Sequence, residues 1–568
     1  MQYDLIIKNG RIADGTGLPS YVGDVAVKDG KIAAMGRISA RASRVIDAEG
    51  LVVSPGFIDM HTHYDAQLHW DPLATSSCWH GITTVMTGNC GFAIAPCKPK
   101  DREYTMRMFG NVEGVSLPAL KGGLGWNWES FPQFLDALDK PLGVNAAVQV
   151  GHSALRYYVM GEASLERAAT SDEVRKQKQL LAEALKAGAF GFTTSRSVNH
   201  LDMNMHPVPS VQSTNEETLE LASVFRDHPV GVIGFHPYDR LTGFDWTDAE
   251  FMAELSLASG RSVNYNELSY APHLPDQWKQ QIRASEEAFK RGAQVYGINR
   301  CQRLDLEFTL KDTYVFDRLP YWKEVMRKPI EERKRLFRDP AVRKRLQQDL
   351  DDPALGEMVA RRRLEKVGVT LTVKPQHAKL AGKMLTDLAK EQRTSLLDAM
   401  LDLSLSEDLE TEFAYIGVRN NDEAIVAQIL KCPYGIAGIS DGGAHMDNQT
   451  GADFNTYLLG HWVRERKDLT LEEAVSKLTF VPASVIGLWD RGLLKEGLAA
   501  DIAIFDLNTV APLRKQRVYD LPGGDVRVIQ KAQGVKYTIV NGVPVSIDGA
   551  PTGDLPGTLL RSGRYTNA

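Results

Sequence analysis

Two histidines separated by one residue end an apolar run, Gly56-Phe57-Ile58-Asp59-Met60-His61-Thr62-His63. In an extended strand, residues i and i+2 project to the same side. His61 and His63 can therefore aim two imidazoles at one point, as a transition-metal ion requires. Asp65 follows closely, and Ser440-Asp441-Gly442 ends another apolar run far downstream. A carboxylate in such a place can take a proton from water as the oxygen attacks a carbonyl, then return it to a leaving nitrogen. These residue types point to a metal-dependent hydrolase with Asp441 as both metal ligand and general base. The structural alternative for Asp441 is a cap on the Asp-Gly-Gly turn that follows it.

Such residues need a scaffold that brings distant strand ends together. Apolar strand-like runs at 56–63, 81–87, 145–150, 188–194, 230–236, 262–267, 294–299 and 434–440 alternate with helical patterns, the mark of parallel βα units. Two of the helices are expected over 172–186 and 215–225, the second with Ser213 or Thr214 as N-cap. Eight such strands predict an α/β fold, a (β/α)8 TIM-type barrel, with its active site at the strands' C-terminal ends. The histidine pair and Asp441 fall at such ends.

The chain termini read differently. Near the start, apolar runs are punctuated by Asn9-Gly10 and Asp29-Gly30; near the end, 500–506 and 535–540 are followed by Asn541-Gly542. Asp-Gly between apolar runs is a strong hairpin signal, and the end of the chain again reads as strand, turn, strand. The expected organisation is a small composite β-domain from residues 1–54 and 490–568, with the barrel at 55–489. Residues 304–363 break the alternation, being long, charged and aromatic-spiked. They are read as a solvated helical insertion, or alternatively as a lid over the barrel mouth.

Composition narrows the class. With 568 residues, 43% of them hydrophobic, the chain can bury a sizeable core. A net charge of −6 gives no electrostatic case for nucleic acid. No run approaches the ~20 apolar residues of a membrane span, and the first residues lack the pattern of a signal peptide. Five cysteines, odd in number and not in Cys-x-x-Cys pairs, suit a reducing cytoplasm.

The motifs together resemble the amidohydrolase superfamily, in its D-aminoacylase (N-acyl-D-amino-acid deacylase) branch. The resemblance rests on Asp4-Leu5-Ile6-Ile7-Lys8-Asn9-Gly10, the 53–63 run ending in the two histidines, Gly88-Asn89-Cys90-Gly91, Gly151-His152-Ser153-Ala154-Leu155-Arg156, Gly188-Ala189-Phe190-Gly191-Phe192, Ser440-Asp441-Gly442 and Ala500-Asp501-Ile502-Ala503-Ile504-Phe505-Asp506. It implies a barrel carrying one or two zinc ions. His61 and His63 match the first metal pair, and Cys90 matches the branch's zinc-ligating cysteine. In related cyclic-amide hydrolases a carboxylated lysine serves instead, and the fourth strand here carries no lysine. His236 matches the fifth-strand histidine. The sixth-strand histidine is replaced by Asn266, with Glu267 beside it, so a second metal site is weakened, completed by Glu267, or absent.

Candidate substrate-binding residues are His152, Arg156, Tyr157, Arg196, Glu267 and His377. Arg156 and Arg196 are the candidates for a substrate carboxylate, which guanidinium pairs with bidentately. His445 is read as a neighbour of the site or a surface residue. The expected activity is hydrolysis of an N-acyl amino acid, with a D configuration open. The alternatives are hydrolysis of another amide, cyclic imide or lactam, and a non-catalytic barrel scaffold. The expected partner is a small-molecule amide, with no nucleic acid and no membrane, and with homo-oligomerisation left open.

Overall fold

In the computed structural model, residues 2–238, 244–311, 313, 315–316, 319–352, 363–446 and 451–565 are described. Eight parallel strands form one continuous ladder: β1 (Phe57–Asp59, continued by His61–Thr62), β2 (Ile82–Thr87), β3 (Asn145–Gly151), β4 (Gly191–Ser195), β5 (Val232–His236), β6 (Ser262–Asn266), β7 (Val295–Asn299) and β8 (Gly435–Ala437, continued by Ile439–Gly442). Each neighbours the next in sequence order, and β7 pairs with β8 through Gly297↔Gly435 and Asn299↔Ala437. β8 then returns to β1 through Ile439↔His61 and Gly442↔Thr62, closing the barrel. β2, β3 and β4 are buried at every residue, as parallel strands covered on both faces must be.

Helices follow the strands. Ser171–Ala187 begins with a capping box, in which the Thr170 side chain accepts from the Glu173 N–H and Glu173 reaches back. Asn215–Ala222 is capped by Thr214, whose hydroxyl accepts from the Glu217 N–H, and it runs on as a 3-10 turn, Ser223–Asp227.

A nine-stranded sheet joins the two chain ends. Val52–Pro55 from the N-terminal part lies antiparallel to Ile502–Phe505 from the C-terminal part, with Val53 opposite Ile504. Leu5, Ile7, Val25, Val27, Val53, Ile502, Ile504 and Ile539 share the core on one face of this sheet. Its two-residue hairpins turn at Asp29-Gly30 and Asn541-Gly542, and in both pairs both residues have positive φ, as a tight hairpin with the strands' own twist requires.

The barrel and this sheet belong to one compact unit, residues 1–269, 276–302 and 424–568; a second comprises residues 270–275 and 303–423. The purely helical reading of 304–363 is corrected here. The second unit opens on a strand, Leu304–Thr309, paired antiparallel with Glu412–Arg419, which also pairs with Val367–Leu371. Helices Pro320–Met326, Ile330–Arg338, Pro340–Asp351, Leu385–Gln392 and Leu396–Ser406 complete it. The aromatic residues that looked like spikes on a solvated surface are its core: Phe316, Trp322 and Phe337 are fully buried with Phe308, Leu346, Met400 and Phe413. Their partners lie up to a hundred residues downstream, so local sequence gave no sign of them.

Candidate functional site

His61 and His63 lie at the C-terminal end of β1, with 2% and 3% of their surface exposed. The His63 N–H donates to the Gly442 carbonyl at 2.7 Å, tying the pair to β8. Asp65 lies outside the cluster of candidate donors. It is buried and accepts hydrogen bonds from the Thr87 hydroxyl and the Gly88 N–H, fixing the turn that follows β2.

That turn presents Cys90. Gly88 has φ +84, and a side chain there would meet the Gln149 carbonyl oxygen at 2.3 Å, so only glycine fits. Cys90 itself has φ 54, a left-handed conformation that costs a non-glycine residue free energy and is held by its surroundings. Its Sγ stands 3.4 Å from His61 Nε2. His61, His63 and Cys90 each place a donor atom so that all three lie within 4.8 Å of one another. Asp441, also left-handed at φ 52, brings Oδ1 to 3.4 Å from His61 Nε2 and 3.9 Å from His63 Nε2. Neighbouring donors around a tetrahedral zinc stand about 3.3–3.6 Å apart. The Cys90–His61 and Asp441–His61 spacings match that edge, the Asp441–His63 spacing is a little longer, and the donor set of two imidazoles, a thiol and a carboxylate suits zinc.

The electrostatics agree. Burial, opposed by the nearby Asp441 carboxylate, brings His61 down to about 4, and burial holds His63 well below its ordinary value. Both rings are therefore neutral near pH 7, as a metal ligand must be. Burial alone would raise the Asp441 carboxyl, but Arg300, His61 and His63 outweigh it and hold it well below the usual carboxylate range. Arg300 Nη2 donates to Asp441 Oδ2 at 2.7 Å.

The remaining expected residues divide. His236 ends β5; its Nδ1 is 3.0 Å from the Pro237 carbonyl and its ring packs edge-on against His200 at 4.9 Å. Asn266 ends β6 with its Nδ2 3.3 Å from both His61 Nε2 and Cys90 Sγ. Glu267 Oε2 stands 3.9 Å from Arg300 Nε. His377 belongs to the second unit, where its Nδ1 pairs with Glu407 at 3.0 Å.

Two expectations about arginine are corrected. Arg156 is fully buried, and its guanidinium is committed to Glu217 and the Arg167 carbonyl. His152, equally buried, joins the same ion pair through Glu217 at 3.4 Å and bonds Thr194 Oγ1 at 2.8 Å. Tyr157 stacks on Tyr104 with ring centres 3.9 Å apart. Arg196, 2% exposed, donates to the Ser213 and Thr214 carbonyls and to Thr218 Oγ1, bracing the entry to the helix Asn215–Ala222. Both guanidiniums are consumed by internal partners and hold structure together rather than substrate.

Sequence reasoning missed Arg300 and Glu113. Arg300 directly follows β7, so a strand-end search for cations would have found it. Glu113 ends the helix Arg102–Glu113 with no motif around it; it is 3% exposed, and its Oε1 stands 3.3 Å from His63 Nδ1 without lining up as a hydrogen bond. Burial, reinforced by Asp441 and Asp65, pushes its carboxyl well above the ordinary value. The His445 N–H donates to the Glu113 carbonyl, so the turn after β8 is seated on the end of that helix.

A parallel barrel with a histidine pair on β1, a cysteine after β2 and an aspartate on β8 defines a metal-centred hydrolase architecture. The family model for the amidohydrolase family matches residues 44–290 and 362–546, and the chain belongs to that family. It is a hydrolase of carbon–nitrogen amide bonds. It is 30% identical over 565 residues to a D-aminoacylase of Alcaligenes xylosoxydans xylosoxydans, covering 98% of this chain and 97% of that one. It is 29% identical over 577 residues to an N-acyl-D-aspartate deacylase of the same organism, covering 99% and 96%. A solved D-aminoacylase structure, described as having a binuclear metal centre with one-metal activation and second-metal attenuation, superposes with a TM-score of 0.68 at 27% identity, covering 98% of this chain and all of that one. Among the described residues no helix is long and apolar enough to cross a membrane.

Proposed function

We propose that this protein is a zinc-dependent deacylase that hydrolyses the linear amide of N-acylated amino acids. The observation that carries it is the donor cluster: His61, His63 and Cys90 within 4.8 Å of one another, with Asp441 Oδ1 3.4 Å from His61 Nε2. Two relatives carry the names D-aminoacylase and N-acyl-D-aspartate deacylase, which supports an N-acylated amino acid of D configuration as the substrate.

His61, His63, Cys90 and Asp441 would hold one zinc ion. A second ion would draw on Cys90 and His236, and Asn266 leaves that site one imidazole short. Zinc held by these residues would supply a polarised scissile carbonyl and a water of lowered pKa. Asp441 accepts the proton of the attacking water and returns it to the nitrogen of the leaving amine, giving a carboxylate and a free amino acid. Five cysteines, none of them in a disulfide, support a reducing, cytoplasmic setting.

The test is kcat/KM for N-acetyl-D- and N-acetyl-L-amino acids against a hydantoin and a cyclic imide. Turnover of an N-acyl amino acid, with the D form preferred, is expected. If only the cyclic compounds are turned over, the deacylase assignment fails while the amide-hydrolase chemistry stands.

A further inference from the structure

We infer that Arg300 is the positioning residue for Asp441: its guanidinium holds one carboxylate oxygen so that the other alone faces the metal donors. This rests on the proposed role of Asp441 as ligand and proton acceptor.

Three observations carry it. First, the two oxygens of Asp441 have separate environments. Oδ2 accepts from Arg300 Nη2 at 2.7 Å, and Oδ1 faces His61 Nε2 at 3.4 Å and His63 Nε2 at 3.9 Å. A carboxylate with no such partner can turn about its terminal bond, present both oxygens to a metal, or swing away. A charge-assisted hydrogen bond to one oxygen removes that freedom.

Second, Arg300 is itself fixed. Its side chain is only 10% exposed, and Glu267 flanks its Nε at 3.9 Å. At Gly451 the chain passes so close that a side chain there would meet Arg300 Nη1 at 3.0 Å and the Ser440 carbonyl oxygen at 2.3 Å. The guanidinium and the residue preceding Asp441 are thus braced by one segment.

Third, the charges argue against the other role open to an arginine here, clamping a substrate carboxylate. Two protein carboxylates already stand within 4 Å of this guanidinium. A third anion there would meet the repulsion of both carboxylates.

The experiment compares Arg300→Met, Arg300→Lys, Asp441→Asn and the double variant Arg300→Met/Asp441→Asn, all as full-length zinc-loaded protein. Equilibrium competition with a chromophoric chelator reads zinc affinity, and steady-state kinetics on an N-acyl amino acid and its amidated counterpart read kcat and KM separately. Arg300→Met is expected to weaken zinc binding and lower kcat by about 10–100-fold each, the usual effect of losing a partner of a metal ligand. KM should change little, and the loss should be equal for the free acid and the amide. Arg300→Lys should recover part of the loss. In the Asp441→Asn background, Arg300→Met should add little further loss of zinc affinity, because the two act through one group.

Unchanged zinc affinity and kcat in a folded Arg300→Met overturns the inference. So does a loss confined to KM for the free acid, which would make Arg300 a substrate clamp, or a full additional loss of zinc affinity in the double variant. Should Arg300→Met fail to fold, Arg300→Lys decides: wild-type kcat and zinc affinity there would show that any cation suffices and that position is irrelevant. If Asp441→Asn keeps its turnover, the proposed role of Asp441 fails, a result separable from each of these.

Discussion

Ile439 on β8 pairs with His61 on β1 and Gly442 with Thr62, so the register shifts between the two pairs at Ser440-Asp441 and this closure of the barrel sets Asp441 beside the histidine pair. Asp441, inside the strand Ile439–Gly442, has a left-handed φ of 52, and its carboxylate reaches across the closure to 3.4 Å from His61 Nε2. Two segments almost four hundred residues apart thereby contribute to one set of donors.

If Asp441 carries the proton, Asp441→Asn keeps its shape and removes its acceptor. General acid–base contributions are typically ~10²–10⁴-fold. We expect kcat to fall by about that factor, with a lowered thermal midpoint because Arg300 loses its counter-ion and with the fold retained by circular dichroism. Turnover above about a tenth of wild type would identify another group as the base.

Cys90→Ala separates ligation from packing. A cavity of that size costs on the order of 1–2 kcal/mol. Loss of a ligand should in addition lower zinc content, measured by elemental analysis, and lower activity in parallel. Dialysis of wild-type protein against a chelator should abolish turnover, with zinc restoring it. Normal zinc content and turnover in Cys90→Ala would leave the thiol as simple core packing.

Much of this was legible in the sequence. Period and turn chemistry located the barrel strands to within a few residues, because buried parallel strands are short apolar runs and strand ends carry the polar residues. The histidine pair stood out because its two-residue spacing is itself a geometric statement. What stayed hidden depends on long-range partners. Arg156 and Arg196 looked like surface cations available to substrate, and only the fold shows Glu217 and the Ser213 carbonyl consuming them. Glu113 reaches His63 from a helix that follows β2, and no local pattern marks such a residue.

Gly88→Ala tests how Cys90 is aimed. The new side chain would meet a backbone oxygen, and φ +84 is itself unfavourable for alanine by roughly 1–2 kcal/mol. We expect a stability loss of at least about 2 kcal/mol in denaturant titration, together with reduced zinc content, since the turn carrying Cys90 must shift. Full stability would mean that the turn relaxes freely and does not hold the cysteine in place.

The buried group of Glu217, Arg156 and His152 gives a prediction in pH. Burial raises the Glu217 carboxyl, but the hydrogen bond with His152 and the Arg156 guanidinium outweigh it and bring it down to about 2, from an ordinary value of 4.5. A carboxyl whose value is depressed in the folded state stabilises the fold above its unfolded value, and that stabilisation is lost as pH falls through the folded one. Glu217 therefore contributes on the order of 2–4 kcal/mol near pH 7, lost progressively between about pH 4.5 and 2. Glu217→Gln leaves the Arg156 charge buried without its counter-ion, and breaking a buried pair in this way costs about 3–5 kcal/mol. Urea unfolding at pH 7 should show Glu217→Gln clearly less stable than wild type, and the gap should narrow as pH is lowered from 4.5 toward 2. A gap that is small at pH 7, or one that widens on acidification, would mean that the Arg156 charge is compensated by other groups.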